Sequence, residues 1–274
     1  MLQQEMIECF RTACHEDERV AAALMFGSFA IGEGDEFSDI EFAVFIRDGS
    51  FDEFEQRSWL HGVSPVAAYF QDDFGHHTAL FMNGVRGEFL FMRASDVPVV
   101  AGWQGYSWFP SLSATVVLDR SGELSRYASA LVGGPPSRGG AVLAEGIALN
   151  FISLMLFGAN LLNRGEYARA WALLGRAHEN LLKLVRIREG TTAHWPTPSR
   201  ALERELSDAA YARYLACTAG AESRTLRTAY RESWKWGTEL FETVAGPLNI
   251  ELPAVVIQHV RKLLDGACAR SNTD

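Results

Sequence analysis

The amino-acid sequence predicts an α/β (α+β) domain with a mixed β-sheet, followed by an all-α domain that forms a helical bundle. Three observations predict this fold class. The first half contains short apolar runs rich in strand-forming residues, residues 133–140 are mostly glycine and proline, and the second half repeats apolar residues three and four positions apart. We therefore predict domains at residues 1–132 and 141–274, joined by a linker at 133–140.

The first domain begins with a predicted amphipathic helix over residues 1–17, because four apolar residues recur at every fourth position: Leu2, Met6, Phe10 and Cys14. Short apolar runs then predict several strands in quick succession. Each run is bounded by turn-forming residues, and the predicted strands cover residues 42–46, 66–70, 78–82, 86–92 and 114–118. Asp119, which follows the last of them, is assigned to a turn.

The second domain is predicted to contain about five helices, at residues 141–164, 166–189, 199–218, 223–245 and 253–267. The first of these is apolar enough to raise the question of a membrane span. Four polar residues interrupt it, and aromatic residues do not flank it, so a buried helix is predicted instead. These interrupting residues are Glu145, Asn150, Ser153 and Asn160.

Composition limits the classes of partner. The chain has 274 residues, of which 48% are hydrophobic and 22% charged, as in ordinary globular proteins. Its formal net charge is −9, and it contains only three lysines. A broad basic surface for nucleic acid is therefore not expected, and the ligand should be small, cationic or both.

The cysteines and the start of the chain predict a cytoplasmic protein. Cys9, Cys14, Cys217 and Cys268 lack the close pairs that form zinc sites or redox motifs, so reduced thiols are expected. Residues 1–17 carry acids and bases throughout, unlike a secretory signal.

The segment 27–41 contains the residue types that bind phosphate and metal. Gly27 permits a sharp turn and a close approach to a ligand, and Ser28 offers a hydroxyl and an N–H to phosphate oxygens. Asp39 and Glu41 lie two residues apart at the start of a strand, so both carboxylates should project from the same face. Such a pair can share one Mg²⁺ ion with substrate phosphates.

Glu88 is a candidate third acid, because it lies within a predicted strand between apolar neighbours. If that strand lies beside the first, Glu88 could reach the metal site or accept a proton as a general base. The alternative is a structural ion pair with Arg86 or Arg93.

These segments resemble the signature of the polymerase-β-like nucleotidyltransferases, and within them most closely the lincosamide nucleotidyltransferases. The first domain supplies Gly27-Ser28, Asp39-Ile40-Glu41 and Arg86-Gly87-Glu88-Phe89. The second supplies Arg164-Gly165-Glu166-Tyr167-Ala168-Arg169, so the resemblance extends into both domains.

The resemblance implies an antibiotic-resistance enzyme that transfers AMP from ATP to a hydroxyl of a lincosamide such as lincomycin or clindamycin, with release of pyrophosphate. Asp39 and Glu41 would bind Mg²⁺, Gly27 and Ser28 would contact the nucleotide, and Glu88 would take the proton from the hydroxyl. A homodimer is also implied. Two alternatives remain: an aminoglycoside adenylyltransferase, which shares these acids, and a non-catalytic regulatory or toxin–antitoxin protein.

Other polar residues receive weaker assignments. His76 and His77 follow Gly75 in a predicted loop without a third ligand at zinc spacing, and are expected to be exposed. Four basic residues of the second domain could reach phosphate, although solvation at the surface is the expected role: Arg164, Arg169, Lys183 and Arg186.

Overall fold

The computed structural model describes residues 1–73 and 75–266. The chain divides into two compact units, Met1–Pro136 and a second that begins at Ser137. Cys268, and the last residues of the predicted second domain, lie outside the described residues.

The first unit is built on a six-stranded sheet with the strand order β3-β4-β5-β2-β1-β6. Strands β2 and β5 are parallel, and the other neighbouring strands are antiparallel, which confirms the predicted mixed sheet. The strands are β1 (Val20–Met25), β2 (Ile40–Ile46), β3 (Val66–Gln71), β4 (His77–Phe81), β5 (Arg86–Arg93) and β6 (Val116–Asp119).

The helices of the first unit are mostly short: α1 (Leu2–Glu16), α2 (Gly27–Ala30), α3 (Asp48–Phe51), α4 (Gln56–Val63), α5 (Leu112–Thr115) and α6 (Glu123–Ala128). Two 3₁₀ segments, Ala94–Trp103 and Ser129–Leu131, complete it. The strand predicted at 114–118 starts two residues later than expected. Ser111 caps a helical turn there by accepting a hydrogen bond from the N–H of Ala114.

Helix α1 confirms the predicted amphipathic helix, and it covers the middle of the sheet. Its ring at Phe10 stacks on Phe42 of β2, with ring centroids 3.7 Å apart. Leu2, predicted on the same face, is exposed at the start of the helix. Burying a phenylalanine side chain contributes about 2–3 kcal/mol. The helix therefore fixes the central strands that carry the candidate acids.

The second unit is helical, as predicted: α7 (Ala141–Asn163), α8 (Tyr167–Glu189), α9 (Leu202–Glu205), α10 (Asp208–Ala216), α11 (Ser223–Leu240) and α12 (Ala254–Gly266). A π-helical turn, Phe241–Ala245, and a 3₁₀ turn, Gly246–Leu248, follow α11. The prediction of a single helix at 199–218 is wrong. Ser207 caps a new helix there with its side chain, which separates α9 from α10.

Helix α7 is long and apolar enough to cross a membrane by length and composition alone. In the structure ten of its 23 residues are buried within the helical unit. Its contacts are mainly with α8, α11 and α12. The helix therefore packs into the core along part of its surface.

Aromatic rings fill the space beside two glycines where α7 meets α11. A Cβ added at Gly158 would lie 2.3 Å from the ring of Tyr230, and one added at Gly237 would lie 2.2 Å from the ring of Phe151. The Tyr230 hydroxyl donates a hydrogen bond of 2.7 Å to the carbonyl of Ala170 in α8. The two helices therefore approach closely through paired large and small residues.

Candidate active site

The parallel pairing of β2 with β5 brings the candidate acids to one end of the sheet. Glu41 pairs with Glu88, and Ile40 pairs with Gly87. Asp39 directly precedes β2, and Arg86 is the first residue of β5. Parallel strands run in the same direction, so the residues at their starts lie at the same end of the sheet. The condition on which the sequence prediction for Glu88 depended is thus met.

The carboxylate of Glu41 lies against the backbone of Gly27 and Ser28. The N–H of Ser28 donates a hydrogen bond of 3.3 Å to Oε2 of Glu41. A Cβ added at Gly27 would lie 1.4 Å from the same oxygen, and the φ angle of Gly27 is 69°, which favours glycine. A side chain at position 27 would therefore displace Glu41. The glycine-serine pair positions this acid in addition to its predicted contact with nucleotide.

Arg86 connects two of the three acids. Its Nη1 lies 2.5 Å from Oδ2 of Asp39 and 2.5 Å from Oε1 of Glu88. The predicted alternative, a pair between Glu88 and Arg86, is therefore present. Arg93 pairs with Asp52 instead, at 2.6 Å. One guanidinium thus bridges the acid before β2 and the acid within β5.

Two residues that the sequence did not assign to the site complete this cluster. Oδ2 of Asp72 lies 3.5 Å from Nη2 of Arg86, and Nδ1 of His76 lies 3.2 Å from Oε2 of Glu88. His76 is only partly exposed, so the prediction of an exposed loop histidine is wrong. The antiparallel pairing of β4 with β5 explains the position of His76. Thr78 pairs with Glu88, which brings the turn before Thr78 to the same end of the sheet.

The cluster carries more negative than positive charge. Partial burial lowers the pKa of Arg86, but its hydrogen bonds and charge interactions with Glu88 and Asp39 outweigh burial and raise that pKa above its ordinary value. Arg86 is therefore a permanent cation among three acids, Asp39, Asp72 and Glu88. Glu41 adds a further carboxylate at the same end of the sheet, so a cationic ligand is favoured there.

The candidate acids are of the residue type that Mg²⁺ prefers. Asp39, Glu41 and Glu88 carry carboxylate oxygens, which are hard donors, at the starts of two paired strands. The ligand atoms that lie within 4.8 Å of one another belong to a second set, Asp72, His76 and Glu88. A nitrogen donor in this second set is less typical of Mg²⁺ than three carboxylates.

Some other predicted candidates have structural roles. Arg186, predicted as a solvated residue or a phosphate contact, is fully buried and bonds to carbonyls of the chain and to Glu205. That prediction is wrong. Arg164 and Arg169 pair with Glu166 at the surface. Asp119 ends β6 and accepts hydrogen bonds from Gly122 and Ser125, which follow it in the chain.

Comparison with known proteins gives a match in the helical unit. Residues 140–263 match the family model described as lincosamide nucleotidyltransferase-like, C-terminal domain. This match lies within the second unit and covers less than half of the chain. No curated protein matches the sequence.

Two solved structures are similar over nearly the whole chain at low sequence identity. One is an aminoglycoside 6-adenyltransferase from Bacillus subtilis, with 16% identity, 97% of this chain and 98% of that chain covered, and a TM-score of 0.44. The other is a nucleotidyltransferase-like protein from Exiguobacterium sibiricum 255-15, with 11% identity, 99% and 92% covered, and a TM-score of 0.37.

Proposed function

We propose that this chain, whose residues 140–263 match the lincosamide nucleotidyltransferase-like C-terminal domain family, transfers AMP from ATP to a hydroxyl of a lincosamide. The observation that carries the proposal is the position of Asp39, Glu41 and Glu88 at the starts of two paired parallel strands. The family match supports the transferase class. The lincosamide acceptor is supported by the name of that family and by the resemblance of both domains.

In the proposed reaction, the acceptor hydroxyl oxygen forms a bond to the α-phosphorus of ATP, and the bond from that phosphorus to the bridging oxygen of pyrophosphate breaks. The hydroxyl proton passes to a carboxylate oxygen of Glu88. Asp39 and Glu41 would hold Mg²⁺, which neutralises charge on the triphosphate. Positioning and charge stabilisation then provide most of the rate enhancement.

Ser28 has two groups that could contact the nucleotide, its N–H and its hydroxyl, and one of them already has a partner. Because the Ser28 N–H points to Glu41, the hydroxyl is the group that we assign to the nucleotide phosphates. Gly27 would contribute by leaving space for the carboxylate of Glu41, as its blocked Cβ position indicates. Both residues would thereby support the metal site and the phosphate site together.

The acceptor class agrees with the charge of the protein. Lincosamides carry an amine, and the net charge of −9 favours encounter with a cation. Aminoglycosides are also cationic, so charge alone does not separate these two antibiotic classes. We retain the aminoglycoside adenylyltransferase as the alternative that the experiment must exclude.

The test is mass spectrometry of lincomycin and clindamycin after incubation with the full chain, ATP and Mg²⁺. Aminoglycosides are incubated in parallel, and Asp39→Asn serves as the inactive control. We expect the lincosamides to gain the mass of one AMP group and pyrophosphate to accumulate. A gain on the aminoglycosides alone would replace the proposed acceptor, and no gain on any antibiotic would contradict the proposed function.

We also propose that the protein acts in the cytoplasm as a homodimer. The free thiols at Cys9, Cys14 and Cys217 are typical of a reducing compartment. The dimer follows from the resemblance of the sequence, and sedimentation equilibrium of the purified chain tests it. A single species with the mass of one chain across micromolar concentrations would contradict it.

A further inference from the structure

Arg86 lies where the proposed function requires a different cation. Its Nη1 is 2.5 Å from both Asp39, a proposed metal ligand, and Glu88, the proposed general base. The second carboxylate oxygen of Glu88 lies 3.2 Å from His76. In this arrangement the guanidinium of Arg86 contacts Oδ2 of Asp39 and Oε1 of Glu88, the groups that the proposed function assigns to a metal ion and to a proton.

A second acceptor for Arg86 is already in place. Oδ2 of Asp72 lies 3.5 Å from Nη2 of Arg86, the nitrogen that does not contact Asp39 or Glu88 at 2.5 Å. Its Oδ1 accepts a hydrogen bond of 3.0 Å from the N–H of His76, and its Oδ2 accepts one of 3.2 Å from the hydroxyl of Thr78. Thr78 is buried, so this carboxylate is held by the hairpin whether or not Arg86 bonds to it.

We propose that Arg86 is a positioning residue that acts as an exchangeable counter-ion for the catalytic acids. Without a bound divalent cation, its guanidinium partly neutralises Asp39 and Glu88 and keeps both carboxylates at this end of the sheet. When the cation and nucleotide bind, the guanidinium moves from these acids to Asp72. This inference rests on the proposed function, because it assigns Asp39 to a metal ion and Glu88 to proton transfer.

The inference predicts opposite effects for two variants. Removal of Arg86 frees two carboxylates that repel each other, so the affinity for a divalent cation should rise. Removal of the charge on Asp72 leaves Arg86 without its second acceptor, so the cation must displace a more strongly held guanidinium and the affinity should fall. General damage to the site would lower the affinity in both variants.

The experiment measures Mn²⁺ binding to the full chain by electron paramagnetic resonance, without nucleotide or antibiotic. We expect Arg86→Met to bind Mn²⁺ about tenfold more tightly than the native chain, since one nearby positive charge is removed. Arg86→Lys, which keeps the charge, should stay within about threefold. Arg93→Met is the matched control, because Arg93 ends the same strand and pairs with Asp52, and its affinity should not change.

Asp72→Asn should weaken Mn²⁺ binding by about threefold or more. This opposite result keeps the test decisive if Arg86→Met does not fold. Unchanged or weaker binding by folded Arg86→Met would overturn the inference, as would an equal gain in Arg93→Met or unchanged binding by Asp72→Asn.

The location of the ion also has to be shown. Asp39→Asn should reduce Mn²⁺ binding more than His76→Gln does, because Asp39 is the proposed ligand. If His76→Gln alone removes binding, the ion occupies the set formed by Asp72, His76 and Glu88, and the inference is overturned. Absence of Mn²⁺ binding in every protein overturns it too. AMP transfer to an antibiotic is measured separately, so failure of the proposed function is distinguishable.

Discussion

Arg86 in the first unit and Arg186 in the second unit are both multiply bonded arginines, but their partners differ. Arg86 is partly exposed and bonds to carboxylates of Asp39, Glu88 and Asp72. Arg186 is fully buried, and its acceptors are the carbonyls of Thr191, Pro198 and Arg200 together with the carboxylate of Glu205. The first set is partly open to water and to another cation, whereas the second set surrounds a fully buried guanidinium.

This difference separates two uses of charge. The carbonyls around Arg186 belong to the segment between α8 and α9, and the guanidinium joins three of them. The acids around Arg86 belong to strands that the sheet already fixes. Substitutions of the acids around Arg86 should therefore alter activity at nearly constant stability. Substitution of Arg186 should alter stability.

The largest effect is expected for Glu41→Gln and Asp39→Asn. Each removes a negative charge from the proposed metal site, so the rate of AMP transfer should fall by about 10⁴-fold, which corresponds to about 5 kcal/mol in activation free energy. The rate is measured as pyrophosphate release, and urea denaturation checks the fold. Native rates in either variant, or a matching loss of unfolding free energy, would contradict the functional role of the cluster.

Next in size is the effect of Arg186→Met on stability. The variant leaves three carbonyls without their guanidinium donor and leaves Glu205 with His194 as its buried partner. The free energy of unfolding should therefore fall by about 3–5 kcal/mol. Arg188→Met is the matched control, two residues further along α8, where a partly exposed arginine pairs with Glu189. That control should lose less than about 1 kcal/mol. Equal losses in both variants would remove the distinction between the two arginines.

The smallest effect is a pH dependence that arises at His178 in the helical unit. Burial lowers the pKa of His178 to about 4, although a hydrogen bond to the backbone of Cys217 acts in the other direction. The folded protein therefore favours the neutral ring. This stabilisation is present above the ordinary pKa of about 6.5 and is lost as pH falls toward 4.

From that shift, we expect acidification from pH 7 to pH 5 to lower the unfolding free energy by about 2 kcal/mol through His178 alone. Carboxylates also titrate in this range, so the native chain is compared with His178→Gln, which lacks the titrating ring. His15→Gln, at an exposed site, is the control. The same pH slope in all three proteins would show that His178 does not contribute.

The sequence predicted the elements well where local pattern decides them. The run 42–46 is buried throughout and forms most of β2. Met6, Phe10 and Cys14, which recur every four residues, lie on the buried face of α1. The break at Ser207 was missed because apolar periodicity continues through it, while the side-chain cap that begins α10 depends on one hydroxyl. Periodicity therefore predicts a helix better than it predicts an interruption.

The site shows a similar limit. The sequence placed Asp39 and Glu41 at the start of a strand, and named Arg86 as an alternative partner of Glu88. The pairing of β2 with β5 could not be predicted from the sequence, because strands separated by a long stretch of chain pair through tertiary packing. Asp72 and His76 were missed for the same reason. Their separation along the chain from Glu88 is bridged only by the hairpin that precedes β5.

The ring and glycine contacts between α7 and α11 also determine how these helices can meet. Helix α7 contributes Phe151 and Gly158, and α11 contributes Tyr230 and Gly237, so each helix carries a ring followed seven residues later by a glycine. Each ring enters the space beside the other helix's glycine. Seven residues span two turns, or about 10.5 Å. The exchange is a local twofold pseudo-symmetry that requires antiparallel helices, since a parallel arrangement would oppose ring to ring and leave a void between the glycines.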